Sequence, residues 1–356
     1  MLSCPKITVV MSAYNAAAYL DEAVSSILDQ TFRDFEFIVI NNGSTDDTSS
    51  ILEKYRKLDS RLRVYYHEQN GWAPAVNFVC RLARGQYIAM MDSDDFSLHR
   101  RLERQLAYME KSPRTGIVGV WISKLRNGVT DEDWCPPTNA KMLKWHNFFG
   151  VCMAHPAVLI RREVMEKLDF YREDLFHAQD VDFFLRAGAI TEFGVVPEVL
   201  YRYRVWPGSD TQRNLQNVRQ THVQLLASFI KEFLRTEPPH EAVAGLRRTR
   251  VGPPFENVAQ IHLTVALIQE LYWQFERKNS LTAEERREVS WDAAKRIASL
   301  ALQASCFDTR SFMSLSMRAL KLNYRLLNPS AIAKGLGRRR SFNFAGLAMT
   351  RRSEEG

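Results

Sequence analysis

The sequence predicts an α/β protein: a mostly parallel sheet flanked by helices, followed by an all-helical C-terminal appendage. Three observations predict it. Over the first quarter of the chain, short apolar runs alternate with amphipathic helical patterns, the rhythm of a parallel sheet with crossover helices. From about residue 211 onward the periodicity is helical, interrupted at Pro238-Pro239 and Gly252-Pro253-Pro254, pairs that break helices. The length of 356 residues exceeds a minimal domain and suits a main domain with a substantial addition.

The elements follow in order. Residues 7–11, 35–40, 62–66 and 87–91 read as short buried strands, and 17–30, 44–57 and 73–83 as the helices between them. Ser44-Thr45-Asp46 has the composition of a helix cap. Between residues 116 and 204 the pattern loosens: strands are expected at 117–122, 157–160 and 195–204, with a helix at 181–187. This stretch completes the sheet and forms the side opposite the first strands. Helices are expected at 214–234, 258–277, 283–304 and 312–327. The predicted division is a principal domain over residues 1–210, a helical region over 211–335, and a basic, disordered tail over 336–356.

Composition excludes several classes. With 46% hydrophobic and 25% charged residues the chain is an ordinary globular one. No apolar run reaches the length of a transmembrane helix. The first residues, MLSCPKITVVMSAYN, lack the charged start and cleavage site of a secretory signal. Five scattered cysteines without CxxC spacing read as thiols of a reducing compartment, so a cytoplasmic location is expected. Residues 210–356 hold 23 Lys+Arg against 14 Asp+Glu, so the basic excess of the chain lies there. Such an excess suits anionic lipid, nucleic acid or solvent alike; without interleaved aromatic motifs, nucleic acid is not the expected partner.

The densest chemical signal is Tyr87-Ile88-Ala89-Met90-Met91-Asp92-Ser93-Asp94-Asp95. Three carboxylates follow one buried strand. Like charges 4 Å apart repel by about 4 kcal/mol at an effective dielectric near 20, which a cation relieves. Hard oxygen ligands favour Mg2+ or Mn2+; a solvated acidic turn is the competing reading. Asn41-Asn42-Gly43-Ser44-Thr45-Asp46-Asp47 and Ser12-Ala13-Tyr14-Asn15 also stand at strand ends, where ligands of open α/β sheets bind. One crevice with a metal and polar groups suits a nucleotide diphosphate.

Several ordered segments carry a resemblance. Val9-Val10-Met11-Ser12-Ala13-Tyr14-Asn15, Ser25-Ser26-Ile27-Leu28-Asp29-Gln30-Thr31-Phe32, Asn42-Gly43-Ser44-Thr45-Asp46-Asp47-Thr48, and Gly85-Gln86-Tyr87-Ile88 leading into Asp92-Ser93-Asp94-Asp95 resemble inverting glycosyltransferase family 2 over roughly residues 5–210. The resemblance implies a GT-A fold, a nucleoside-diphosphate sugar donor (UDP- or dTDP-linked), Mg2+ or Mn2+, and inversion at the anomeric carbon. It places Ala13, Tyr14 and Asn15 along the nucleotide, Asn42 near the base, and Asp92 with Ser93 near the ribose. Asp94 becomes the metal ligand. Gln179-Asp180-Val181-Asp182 resembles the family's acidic pair at the start of a helix, making Asp180 the general base, with Asp182 structural. His155 either lines the acceptor cleft or is a core histidine. Arg202 and Arg204 either pair with phosphate or form salt bridges.

Three positions depart from the family pattern. Asn41-Asn42 replaces an acidic pair, Gln179 replaces Glu, and Trp206 stands where the family often has His. These departures keep open a second reading, a degenerate, non-catalytic scaffold or partner subunit. The implied acceptor is a glycan or a lipid-linked hydroxyl. Residues 312–327 form a basic amphipathic helix, which either packs on its neighbours or lies on an anionic membrane surface at the inner face. Neither a dinucleotide-binding GxGxxG after the first strand nor an early Asp-x-Asp phosphatase motif is present.

Overall fold

The computed structural model describes residues 4–68, 71–209, 213–248 and 255–324. Among the described residues nine strands form one mixed sheet. Their ranges are β1 Ile7–Ala13, β2 Phe35–Asn42, β3 Leu62–His67, β4 Tyr87–Asp92, β5 Phe96–Ser97, β6 Thr115–Arg126, β7 Val129–Trp134, β8 Leu159–Arg161 and β9 Glu192–Arg204. The order across the sheet is β3-β2-β1-β4-β8-β6-β9-β5, with β7 paired to the far part of β6. The first four positions are parallel, β8 runs antiparallel to both neighbours, and β6 and β9 are parallel again. Chain order reverses on either side of β1, a topological switch point.

Burial on both faces explains the central strands. In β1, Ile7, Val9, Met11 and Ala13 enter one apolar cluster, while Val10 enters the cluster on the opposite face. In β2 and β4, Phe35, Phe37 and Val39, and Tyr87, Ala89 and Met91, join the first; Ile38, Ile40, Ile88 and Met90 join the second. A period of two with both sets apolar gives a near-continuous hydrophobic run. The helices α1 Ala17–Leu28, α2 Thr48–Leu58 and α4 Arg101–Lys111 cover the first face, and α3 Trp72–Arg81 and α7 Gln179–Ile190 the second. The short helices α5 Ala140–His146 and α6 Arg162–Lys167 complete this part. Helices α4, α5 and α6 and strands β5 and β7 are additional to those expected, as is the helix at His240–Arg248 further along the chain.

The sheet's N-terminal edge is locked by a buried carboxylate. Glu36 accepts from Thr8 Oγ1 at 2.8 Å, from the Arg84 amide at 2.8 Å and from Arg63 Nη1 at 2.9 Å. The Gly85 amide closes the cluster on Thr8 Oγ1 at 2.9 Å. A β-carbon on Gly85 would lie 2.4 Å from the Thr8 nitrogen, so this approach admits only glycine.

Beyond β9 the chain is helical: α8 Leu215–Leu234, α9 His240–Arg248, α10 Val258–Lys278, α11 Ala283–Ala304 and α12 Thr309–Leu322. Helix α12 starts three residues before the expected position, because the Asp308 carboxylate caps it through the Ser311 amide at 2.6 Å. Residues 325–327 of that expectation, and the 336–356 tail, lie outside the described residues. A capping box at Thr282 and Glu285 starts α11.

The helical region does not own its core alone. Met142 and Trp145 of α5, Phe148, Phe149, and Val181 and Leu185 of α7 share one cluster with Leu226, Ile230, Leu271, Phe275 and Ile297. At its centre Asp292 accepts from Trp145 Nε1 at 2.9 Å and from Arg296 Nε at 2.6 Å, and Arg296 lies 3.7 Å from the Phe149 ring centroid. Burial raises the Asp292 carboxyl, but Arg296 and His146 outweigh it and hold it well below the usual range.

Removing one member of a buried pair costs about 3–5 kcal/mol. Asp292→Asn should lower urea-unfolding stability by that amount. Because its folded pKa is depressed, the Asp292 contribution is fully present above the ordinary carboxylate range and is lost as pH falls through the folded value. The wild-type and variant stabilities, followed by tryptophan fluorescence, should therefore converge in strong acid.

Candidate active site

Three strand ends meet at the switch point. Ala13 lies opposite Asn41 and Ser12 opposite Asp92, so the C-terminal ends of β1, β2 and β4 stand side by side. The loop after β1 and the loop after β2 are laced together. Asn15, in the left-handed region at φ 47°, donates its amide to Ser44 Oγ at 3.0 Å and accepts from the Thr45 amide at 2.8 Å. Helix α1 has no cap of its own; Asp46 Oδ2 accepts from the Ala17 amide at 3.0 Å, and Thr48 Oγ1 from the Ala16 amide at 2.9 Å. The turn expected to start α2 at Ser44 thus serves both helices: it caps α1, and Asp46 Oδ1 accepts from the Thr48 amide at 3.0 Å, where α2 begins. Asn41 is used structurally, bonding Ser49 Oγ and the Ser44 amide. Asn42 donates to the Gly71 carbonyl at 3.1 Å, and its Oδ1 is buried without a hydrogen-bond partner. Tyr14 stands exposed at the rim.

At the end of β4, Asp92, Asp94 and Asp95 present carboxylate oxygens that all lie within 4.8 Å of one another. Burial, then the charges of Asp94 and Asp180, push Asp92 up to about 7. Asp95 is raised well above its ordinary value by burial and by Asp92 and Asp94. This concentration of acid is held from one side by the end of β9. The Arg204 amide donates to Asp95 Oδ1 at 2.7 Å, and Arg204 Nε to the Asp94 carbonyl at 2.7 Å. Arg204 also pairs with Glu22 and lies 4.2 Å from the Tyr19 ring centroid. Trp206 Nε1 donates to Asp94 Oδ2 at 2.7 Å. Beneath, Tyr201 accepts from the Asp92 amide at 3.4 Å, with the buried Arg101 guanidinium 5.2 Å from its ring centroid. Asp95 Oδ2 has no hydrogen-bond partner. Hard oxygens at this spacing fit a divalent cation with an oxygen-rich shell.

Asp180 opens α7, behind Ala178 in the left-handed region at φ 58°. Its Oδ1 accepts from the Val181 amide at 2.8 Å. Burial raises the Asp180 carboxyl, while that amide and the charge of Arg247 pull it down. Arg247, from α9, carries a buried Nη1 with no hydrogen-bond partner; burial lowers it to about 10 against the charge of Asp180. Asp182 is bound to Arg186 at 2.8 Å and faces Arg172 at 3.7 Å. Gln179 donates to the Leu175 carbonyl at 3.0 Å.

The structure therefore sets Ala13, Asn42, Asp92, Ser93 and Asp94 at adjacent strand ends, with Tyr14 and Asn15 in the loop after β1 and the charge of Asp180 felt at Asp92. Arg204 is committed to the acidic turn, and Arg202 lies 5.3 Å from the Phe96 ring centroid. His155 is 7% exposed, caged by Trp72, Phe183 and Phe184 and bound to the Tyr171 hydroxyl at 2.7 Å. Sequence reasoning missed the Trp206 bond to Asp94 and the approach of Arg247 to Asp180. The first had a signal, an indole N–H in place of an expected imidazole; the second had none, since it depends on how α9 packs.

Comparison with known proteins fits this arrangement. The family model described as Glycosyl transferase family 2 matches residues 8–169. The O-antigen biosynthesis glycosyltransferase WbnJ of Escherichia coli is 34% identical over 236 residues, spanning 64% of this chain and 89% of that protein. An uncharacterized glycosyltransferase of Methanocaldococcus jannaschii is 33% identical over 207 residues, spanning 56% of this chain and 71% of the relative. The chain is a glycosyltransferase, and so an enzyme. It belongs to glycosyltransferase family 2. Among solved structures, residues 1–349 of S. aureus TarS in complex with UDP-GlcNAc match with a TM-score of 0.56 at 18% identity, covering 90% of this chain and 92% of that one. The mannosyltransferase PcManGT of Pyrobaculum calidifontis in complex with GDP-Man and Mn2+ matches with a TM-score of 0.51 at 18% identity, covering 92% and 88%. The fold is GT-A.

Burial drives the His155 imidazole down to about 4. A histidine with a depressed folded pKa binds more protons unfolded, so its contribution to stability erodes as pH falls below its ordinary value of 6.5. The His155 ring resonances should show the neutral form down to about pH 5 in an NMR titration; a midpoint above 6 would contradict the burial argument.

Proposed function

We propose that the chain transfers one sugar, with inversion, from a UDP- or dTDP-linked donor to a hydroxyl of a glycan or lipid-linked acceptor. The observation that carries this reading is the gathering of Asp92, Asp94 and Asp95 carboxylate oxygens within 4.8 Å at the end of β4, with the charge of Asp180 acting on Asp92. In this reading residues 1–210 form the catalytic unit and residues 211–335 the helical region behind α7.

Asn42 Oδ1, buried and without a partner, accepts an N–H from the base. Asp92 and Ser93 bind the ribose, and Ala13, Tyr14 and Asn15 flank the nucleotide. Asp94, with Asp92 and Asp95 beside it, would hold Mg2+ or Mn2+, which when bound would supply positive charge to stabilise the departing diphosphate. On the opposite side of the sugar, Asp180 takes the proton of the acceptor hydroxyl as its oxygen forms the new bond to the anomeric carbon. The electrons of the breaking carbon–oxygen bond leave with the diphosphate. The Val181 amide and the charge of Arg247 counter part of the burial that raises Asp180. His155, neutral by burial, and Gln179 back the acceptor side without taking the proton.

A second interaction is supported by α12. Arg310, Met313, Met317 and Lys321 follow one another at helical spacing, and both methionines stand exposed at 62% and 53%. Among the described residues no helix is long and apolar enough to cross a membrane. A basic, apolar stripe of this kind rests on an anionic lipid surface, where a lipid-linked acceptor is presented.

Asp180→Asn should keep thermal stabilisation by nucleotide sugar in Mn2+ while transfer falls about 10²- to 10⁴-fold; an active variant would show that another group is the base. In the wild type, activity should fall as pH drops through the raised Asp180 pKa, giving an acid limb above the ordinary aspartate range. Met313→Ser combined with Met317→Ser should reduce flotation on phosphatidylglycerol vesicles without lowering the melting temperature. Equal flotation of variant and wild type would remove the membrane reading.

A further inference from the structure

Trp206 occupies a position that metal chemistry alone does not explain. An indole nitrogen is a donor only, so Trp206 cannot ligate a cation. Yet its N–H points at Asp94 Oδ2, 2.7 Å away, and the ring is held there from several sides. Tyr19 meets it edge-on with centroids 5.4 Å apart. A β-carbon on Gly208 would fall 1.9 Å from a carbon of the indole ring, so the chain lies directly against the ring where only glycine fits. The Ser209 amide returns to the Trp206 carbonyl at 3.2 Å, closing the turn. Two residues earlier, Arg204 holds the Asp94 carbonyl. Backbone and side chain of Asp94 are thus both fixed from the end of β9.

We infer that Trp206 is a positioning residue for the cation: its N–H occupies Asp94 Oδ2, stops the carboxylate from rotating, and leaves the other carboxylate oxygen to the cation. This rests on the proposed cation role of the acidic cluster. A carboxylate beside two others of like charge turns away from them unless something holds it. The indole supplies the hold without adding a fourth charge, and its donor bond lowers the repulsion within the cluster. Partners that orient ligands in this way change metal affinity by about 10- to 100-fold when removed.

The test is a Mn2+ titration read by the EPR signal of free Mn2+, with melting temperature as the control for folding. Trp206→Phe, which keeps an aromatic ring and loses the N–H, should raise the Mn2+ dissociation constant by about tenfold or more. Benzothienylalanine at position 206 keeps the indole shape and lacks only the N–H; it should behave as Trp206→Phe, and it decides the matter if the phenylalanine variant unfolds. Saturating Mn2+ should bring turnover of the weakened variants back toward the wild type, which a merely structural defect would not permit. Wild-type affinity in the benzothienyl protein overturns the inference while leaving the cation site intact. Absence of Mn2+ binding by the wild type overturns both.

Discussion

Three carboxylates from one turn sit with oxygens inside 4.8 Å of one another, and the architecture around the crevice answers that single electrostatic constraint. Left alone, such charges would separate or take up protons, and burial compounds the cost. The fold opposes their separation with groups delivered from the end of β9: the Arg204 amide on Asp95, the Arg204 guanidinium on the Asp94 carbonyl, the indole of Trp206 on the Asp94 carboxylate. Behind them, Arg101 and Tyr201 put a positive charge and a hydroxyl under the same turn. The parallel pairing of β9 with β6, and its antiparallel contact with β5, exists next to the acids that need it.

The opposite edge of the sheet shows the same physics with a different solution. Glu36 is as deeply buried as Asp95, but it meets Thr8, Arg63 and Arg84 directly. Its carboxyl is pushed up by burial and brought below its ordinary value by those bonds. Asp95, by contrast, keeps an oxygen with no partner. Two buried carboxylates of one sheet thus differ in how fully they are bonded, and an unpartnered buried oxygen is the exception among buried polar groups.

The central strands were legible because β1, β2 and β4 are apolar on both faces. Their ends were not, since Ser12, Asn41 and Asp92 extend the ladders with polar residues. Helix α4 escaped notice because its inner stripe, Leu102, Gln105, Leu106 and Met109, contains a glutamine that bonds carbonyls of β6 and the segment before β8. Strand β7 carries Thr130, Asp131, Glu132 and Asp133 in a row and takes its shape from β6 rather than from its own pattern. In the crevice, Asp92, Asp94 and Asp95 could be read because their proximity is local. The groups that hold them come from more than a hundred residues away, and no periodicity foretells that meeting. The same holds for Asp46 capping α1 from another loop.

Helix α7 belongs to two cores at once. Its Phe183 and Phe184 pack on the sheet, while Val181 and Leu185 pack against α8 and its neighbours. A protein ending after β9 would put Val181 and Leu185 into water, one turn from Asp180. Evolution is therefore not free to exchange the C-terminal helices of this enzyme as an independent module. Changes on this side have to arise by replacing side chains on a surface that stays in place, because the C-terminal helices and Asp180 share one support, α7.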